Sequence, residues 1–183
     1  GMTMRGLTVI ELVVAITIIG LLLLFGTPWI TGLADKVRSQ TDIQTLKRAL
    51  SQGRSIAINQ GNRISICPYS QGQCVQDWNN AFAIFEDSNA DGVLDVDEHL
   101  HSVQGSATSN GYWITRSNNS GVITYFPQGF SFNSATTFVY CPNSGDNQYA
   151  RQLVINFQGR IKTKHYLSSK GDPYSSLGTL TCR

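Results

Sequence analysis

The sequence carries little charge. Only 14% of its 183 residues are Asp, Glu, Lys or Arg, while 41% are hydrophobic. That is a low charge content for a free cytosolic protein. The formal net charge is +2, too close to neutral for the total alone to indicate a nucleic-acid binder. Catalytic signatures are missing as well. There is no nucleophile elbow, no phosphate loop and no metalloprotease motif. No Cys-x-x-Cys pair is present, and no histidine stands near a cysteine, so a zinc site is disfavoured. His99 and His101 lie two apart, but without further partners at ligand spacing they read as exposed polar residues. No set of converging catalytic groups remains, and an enzyme is not expected.

What is present is unevenly spread. The length suffices for one domain with its own core. Much of the apolar excess lies between Leu7 and Ile30, and the remainder is rich in Ser, Asn, Gly and Thr. The four cysteines are Cys67, Cys74, Cys141 and Cys182. An even count beyond an apolar segment points to an oxidising compartment and two disulfides. Four cysteines allow three connectivities. Cys67–Cys74 is favoured because it closes a short Cys-Pro-Tyr-Ser-Gln-Gly-Gln-Cys loop, which leaves Cys141–Cys182. Gly1 ahead of Met2 reads as a cloning remnant.

The most informative stretch is Met4-Arg5-Gly6-Leu7-Thr8-Val9-Ile10-Glu11-Leu12. A short basic leader ends in glycine, and an apolar helix follows at once with one glutamate near its start. The run from Leu12 to Phe25, with Leu7 to Ile10, gives close to a full membrane span. A secretory signal would close its apolar core with an Ala-x-Ala site; Phe25-Gly26-Thr27-Pro28-Trp29 stands there instead. A carboxylate deep in a bilayer costs on the order of 3 kcal/mol or more, so Glu11 needs a partner. If the chain is cut after Gly6, the new amine lies on Leu7. The amine of a neighbouring subunit is then a suitable partner for Glu11.

Here the chain resembles the type IV pilins and type II secretion pseudopilins. Their processing motif is a glycine, usually Phe or Met, then Thr-Leu-Ile-Glu-Leu, and Gly6-Leu7-Thr8-Val9-Ile10-Glu11-Leu12 follows it except at Leu7. The resemblance implies cleavage after Gly6 by a prepilin peptidase and methylation of the new N-terminus. It also implies residence in the bacterial inner membrane as a single-pass protein with a periplasmic head, then transfer into a filament with other pilins. Pro28 falls where pilins often carry a helix-bending proline. Removing Arg5 with the leader leaves 13 basic against 12 acidic side chains.

Past Pro28 the apolar residues Ile43, Leu46, Leu50, Gly53 and Ala57 recur at helical spacing, and Gly61 reads as a stop. Strand patterns follow at Ile64–Ile66, Ala81–Phe85, Gly111–Arg116, Val122–Phe126, Thr136–Tyr140, Gln152–Phe157 and Arg160–Leu167. A long helix followed by strands predicts an α+β fold with an antiparallel β-sheet head. The expected divisions are a leader at 1–6, a membrane or filament-core helix at 7–30, an amphipathic helical half at 31–61 and a disulfide-bearing head at 62–183.

The head resembles the GspH/FimT minor pilins through three features. These are Trp78 with Phe85-Glu86-Asp87-Ser88-Asn89-Ala90-Asp91-Gly92, Asp95 and Glu98; Phe126-Pro127-Gln128-Gly129 with Cys141-Pro142; and Arg151 to Ile155 with Gly159-Arg160. It implies a low-copy subunit near a filament tip or in its initiating complex, serving pilus assembly, twitching motility or DNA uptake. A type II secretion pseudopilin of GspH type is the alternative.

Two charged segments carry further expectations. Asp87, Asn89, Asp91, Gly92, Asp95 and Glu98 satisfy the oxygen-ligand pattern of a calcium loop. Six of the twelve acidic residues lie between Glu86 and Glu98, with no basic residue among them. Flanking helices are absent from the pattern, and a solvated loop with Asx turns is the competing reading. From Arg151 to Arg183 there are six basic residues against one acid. Arg160, Lys162 and Lys164 alternate, so a strand places them on one face, where they can meet phosphates. Members of the FimT branch are implicated in DNA uptake. Their Gly-Arg-x-Arg element is matched by Gly159-Arg160-Ile161-Lys162, with lysine in the last place. A solvated edge strand protected by its lysines is the alternative.

Overall fold

The computed structural model describes residues 8–105, 111–117, 121–131, 135–145, 147–165 and 182. Among the described residues one helix, α1 (Val9–Gln60), is followed by nine strands. Thr8 stands before the helix in extended conformation and forms a capping box with Glu11, whose carboxylate accepts from Thr8 N at 3.4 Å and from Thr8 Oγ at 3.3 Å. α1 runs through Pro28 and ends as expected at Gly61. That residue is left-handed (φ 73°) and returns its N–H to Ala57 O at 3.0 Å.

The two halves of α1 behave differently. Ile43, Leu46, Leu50, Gly53 and Ala57, the residues at helical spacing, are all buried. By contrast, every residue from Val9 to Leu23 is exposed. The expected membrane segment, 7–30, extends outside the residues whose side chains are described, and among the described residues no helix is long and apolar enough to cross a membrane.

The head has two antiparallel sheets. The first runs β2 (Gln73–Cys74), β1 (Ile64–Ser70), β3 (Ala81–Glu86), β4 (Leu100–Gln104), with β6 (Ile123–Tyr125) also paired to β1. The second runs β5 (Gly111–Ser117), β7 (Thr136–Pro142), β8 (Arg151–Ile155), β9 (Ile161–His165). A 3-10 turn at Asn147–Tyr149 precedes β8. Strands β2 and β4 were not expected. β2 is only two residues long, and β4 is a largely polar edge strand without period-2 apolar alternation. Phe157, expected at a strand end, lies in the turn between β8 and β9 instead. Tyr166 and Leu167 lie outside the described residues.

α1 lies over the inner faces of both sheets. Ile43, Leu46, Leu50 and Ala57 share one core with Ile64, Ile66 and Ile84 of the first sheet and Phe138, Leu153 and Ile155 of the second. Trp78 stacks edge-on against Phe138 (ring centroids 4.7 Å), and Trp113 against Tyr140 (5.3 Å). Cys67–Cys74 joins β1 to β2, and Cys141–Cys182 ties β7 to the end of the chain.

Candidate functional site

The stem is the first candidate. Its exposed apolar residues include Val9, Ile10, Leu12, Val13, Val14, Ile16, Ile18, Ile19 and Leu21 to Leu23. They surround the helix on all sides. A helix apolar all round needs lipid or other protein about it. The few polar groups turn inward: Thr17 Oγ donates to Val13 O at 2.7 Å, and Glu11 is engaged with Thr8. Within one chain, therefore, Glu11 caps its own helix. Gly6 and Leu7, the expected processing site, lie outside the described residues. Pro28 is within the helical backbone, but its side chain is outside them.

The basic strand is the second. In β9, Lys162 pairs with Val154 and Lys164 with Gln152. Arg160 O accepts from Asn156 N at 3.1 Å, extending the ladder by one step. The alternation thus places Arg160, Lys162 and Lys164 on one face of the second sheet, turned away from α1. Arg160 and Lys162 are exposed and Lys164 is half-buried.

The register adds a residue that sequence reading missed. Arg116 pairs with Thr137, Thr137 with Val154, and Val154 with Lys162. Arg116, itself exposed, therefore sits in the same cross-strand row as Lys162, about 14 Å away across three strand spacings. Only strand pairing joins residues so distant in sequence. The neighbouring part of this face is apolar: Val139, Cys141, Ala150 and Cys182 cluster there with Tyr112 and Ile114.

Gly159 has another task. Its φ is 73°, and a Cβ there would overlap the Gly129 carbonyl oxygen and lie 3.0 Å from Arg54 Nε. Arg54 Nε itself donates to Gly129 O at 2.9 Å. Ser131 N donates to Phe157 O at 3.1 Å, locking the two turns together. The Gly-Arg element therefore divides between a glycine that packs backbone on backbone and cations that face outward.

The acidic residues Asp87, Asn89, Asp91, Asp95 and Glu98 lie in the loop between β3 and β4, whose neck is closed by Glu86 N donating to His99 O at 2.9 Å. Among the described residues, no group of three or more His, Cys, Asp or Glu is drawn together as for a metal ion. His99 and His101 stack edge-on at 4.6 Å. Burial, then the neighbouring His99, lowers the His101 pKa below the ordinary histidine value, against an opposing pull from Glu86.

Comparison with known proteins fits this architecture. The sequence model of the family described as Type II transport protein GspH matches residues 42–159, well over half of the chain. The chain belongs to the GspH family. Its fold is shared with the type IV minor pilin FimU of Pseudomonas aeruginosa (TM-score 0.56, 23% identity, covering 79% of this chain and 94% of that one). It is also shared with the minor pseudopilin EpsH from the type 2 secretion system of Vibrio cholerae (TM-score 0.51, 8% identity, covering 70% and 97%). No curated protein matches the chain. The GspH match begins at Asp42, past the exposed apolar part of the stem.

Proposed function

We propose that this GspH-family chain is a minor pilin of a type IV pilus, cleaved after Gly6, held by its stem in the inner membrane and then built into the filament near its tip or at its initiation. The observation that carries this reading is the stem: an all-round apolar helix with one carboxylate, Glu11, at its start. Lipid covers such a surface before assembly, and other stems cover it afterwards. On assembly Glu11 exchanges Thr8 for the Leu7 amine of a neighbour, which neutralises it away from water. Deleting the gene and scoring filament number, twitching, DNA uptake and protein secretion tests the proposal. Loss of filaments or twitching with secretion intact supports a pilus; loss of secretion alone places the chain in a secretion filament.

A second reading, DNA contact during uptake, is favoured by one observation, the basic row from Arg116 to Lys162 with Arg160 and Lys164 beside it. Phosphates are its natural ligand, and such contacts weaken steeply with salt. The test is a gel shift of the full-length chain in detergent with double-stranded DNA of arbitrary sequence. Lys162→Glu and Arg116→Glu should each weaken binding and flatten the salt dependence by about one unit of slope. Unchanged affinity in both variants would remove this face as the contact.

A further inference from the structure

We propose that the loop from Asp87 to Glu98 is a calcium site, a strand–loop–strand version of a twelve-residue oxygen-ligand loop. The side chains at its first, third, fifth, ninth and twelfth places are Asp87, Asn89, Asp91, Asp95 and Glu98, and Gly92 holds the sixth. Gly92 has φ 73°, the left-handed turn that the sixth place of such a loop takes.

Side chains are linked across the loop in pairs. Asn89 Nδ2 donates to Asp91 Oδ2 and to Asp95 Oδ2, each at 2.9 Å. Glu98 folds over the same loop, its Oε1 accepting from Ser88 N at 2.8 Å and its Oε2 from Asp95 N at 3.3 Å. The Asn89 amide nitrogen thus stands in for a cation between two carboxylates. These bonds hold the carboxylates on N–H donors, and among the described residues no three of them meet at one point. Turning the Asn89 amide about its terminal bond presents its oxygen in place of its nitrogen.

A separate observation points to a ligand. Asp87 is only 1% exposed. It follows Phe85 on the outer face of the first sheet, where its Oδ2 accepts from Ser65 Oγ at 2.7 Å. Its Oδ1 is buried and has no hydrogen-bond partner in the protein. The loop itself covers this face: Leu94 packs in the cluster of Cys67, Ala83 and Phe85, and Gly92 closes on Val122. The orphaned oxygen therefore belongs to the side chain at the place of the first ligand, on the sheet face that the loop covers. A buried carboxylate oxygen without a donor is costly, and a hard divalent cation is the partner that suits it and its carboxylate neighbours together. The number of oxygen donors and the flexible loop fit Ca²⁺ better than Mg²⁺, which demands a tight octahedron and keeps its waters.

The test is calorimetry on the full-length chain in detergent, titrated with CaCl2 and separately with MgCl2. One Ca²⁺ per chain is expected, with Kd on the order of 10⁻⁴–10⁻³ M as for extracellular calcium modules, together with a rise in melting temperature. Glu98→Gln should weaken binding about tenfold or more by removing a bidentate ligand. Asp97→Asn removes the same charge from a place with no ligand role and should leave affinity within about twofold. Matching melting temperatures of the two variants in EDTA show that both are folded. Absence of binding at about 10 mM Ca²⁺, ten times the upper Kd given above, would overturn the proposal. So would equal weakening by Asp97→Asn and Glu98→Gln, which marks diffuse attraction to an acidic surface.

Discussion

Gly159 and Arg160 are neighbours with separate duties. A side chain at Gly159 must adopt a left-handed backbone and displace the Gly129 carbonyl. Gly159→Ala should therefore cost about 2–4 kcal/mol, combining the left-handed penalty with overpacking. Arg160→Ala, exposed at the turn, should leave stability within about 0.5 kcal/mol. Thermal unfolding of the two variants checks both values. A second residue-scale prediction concerns Asp42 on α1. Its carboxyl is raised above the ordinary value of 3.8, chiefly by burial, with the Tyr140 hydroxyl partly opposing. Tyr140 is itself pushed up, by burial first and then by Asp42. The folded state thus holds the Asp42 proton to higher pH than the unfolded chain does. The stability this contributes is fully present below pH 3.8 and is lost as pH rises through the folded pKa. Asp42→Asn should raise the melting temperature at pH 7 and hardly change it at pH 3.5; an equal change at both would show that its charge is irrelevant. Sequence reading placed Glu11, Gly61 and the charged alternation of β9 because each is a local pattern. It could not reach Arg116 or the Gly129–Gly159 contact, which exist only once distant strands pair.

At the scale of elements, periodicity made the long helix and most strands legible. The burial of Ile43, Leu46 and Leu50 follows from spacing alone. β4 escaped because an edge strand with few apolar residues owes its place to pairing with β3. That the head holds two sheets also escaped, since strand patterns state which face is buried and not which strand lies alongside. The disulfides were legible from loop length, and their two loops differ enough to compare. Chain entropy assigns about 4 kcal/mol to the 41-residue separation of Cys141–Cys182 and about 2 kcal/mol to the 7-residue separation of Cys67–Cys74. Cys182→Ala should accordingly destabilise the chain more than Cys74→Ala in chemical denaturation, and the reverse order would contradict the entropic account.

The whole molecule is asymmetric. One end is a compact head whose helix and sheets satisfy each other, and the other is a helix whose apolar surface none of the described residues covers. Membership in the GspH family and a fold shared with FimU and EpsH describe the head, while the use proposed for that head rests on the stem. The measurement closest to this central claim is mass spectrometry of filaments sheared from cells that express the chain. Its peptides should be found there at a small fraction of the major subunit, with an N-terminal peptide beginning at Leu7, and should be lost from the filaments in Glu11→Ala. Abundant filaments from which the native chain is absent, with all of it left in the membrane fraction, would contradict the account.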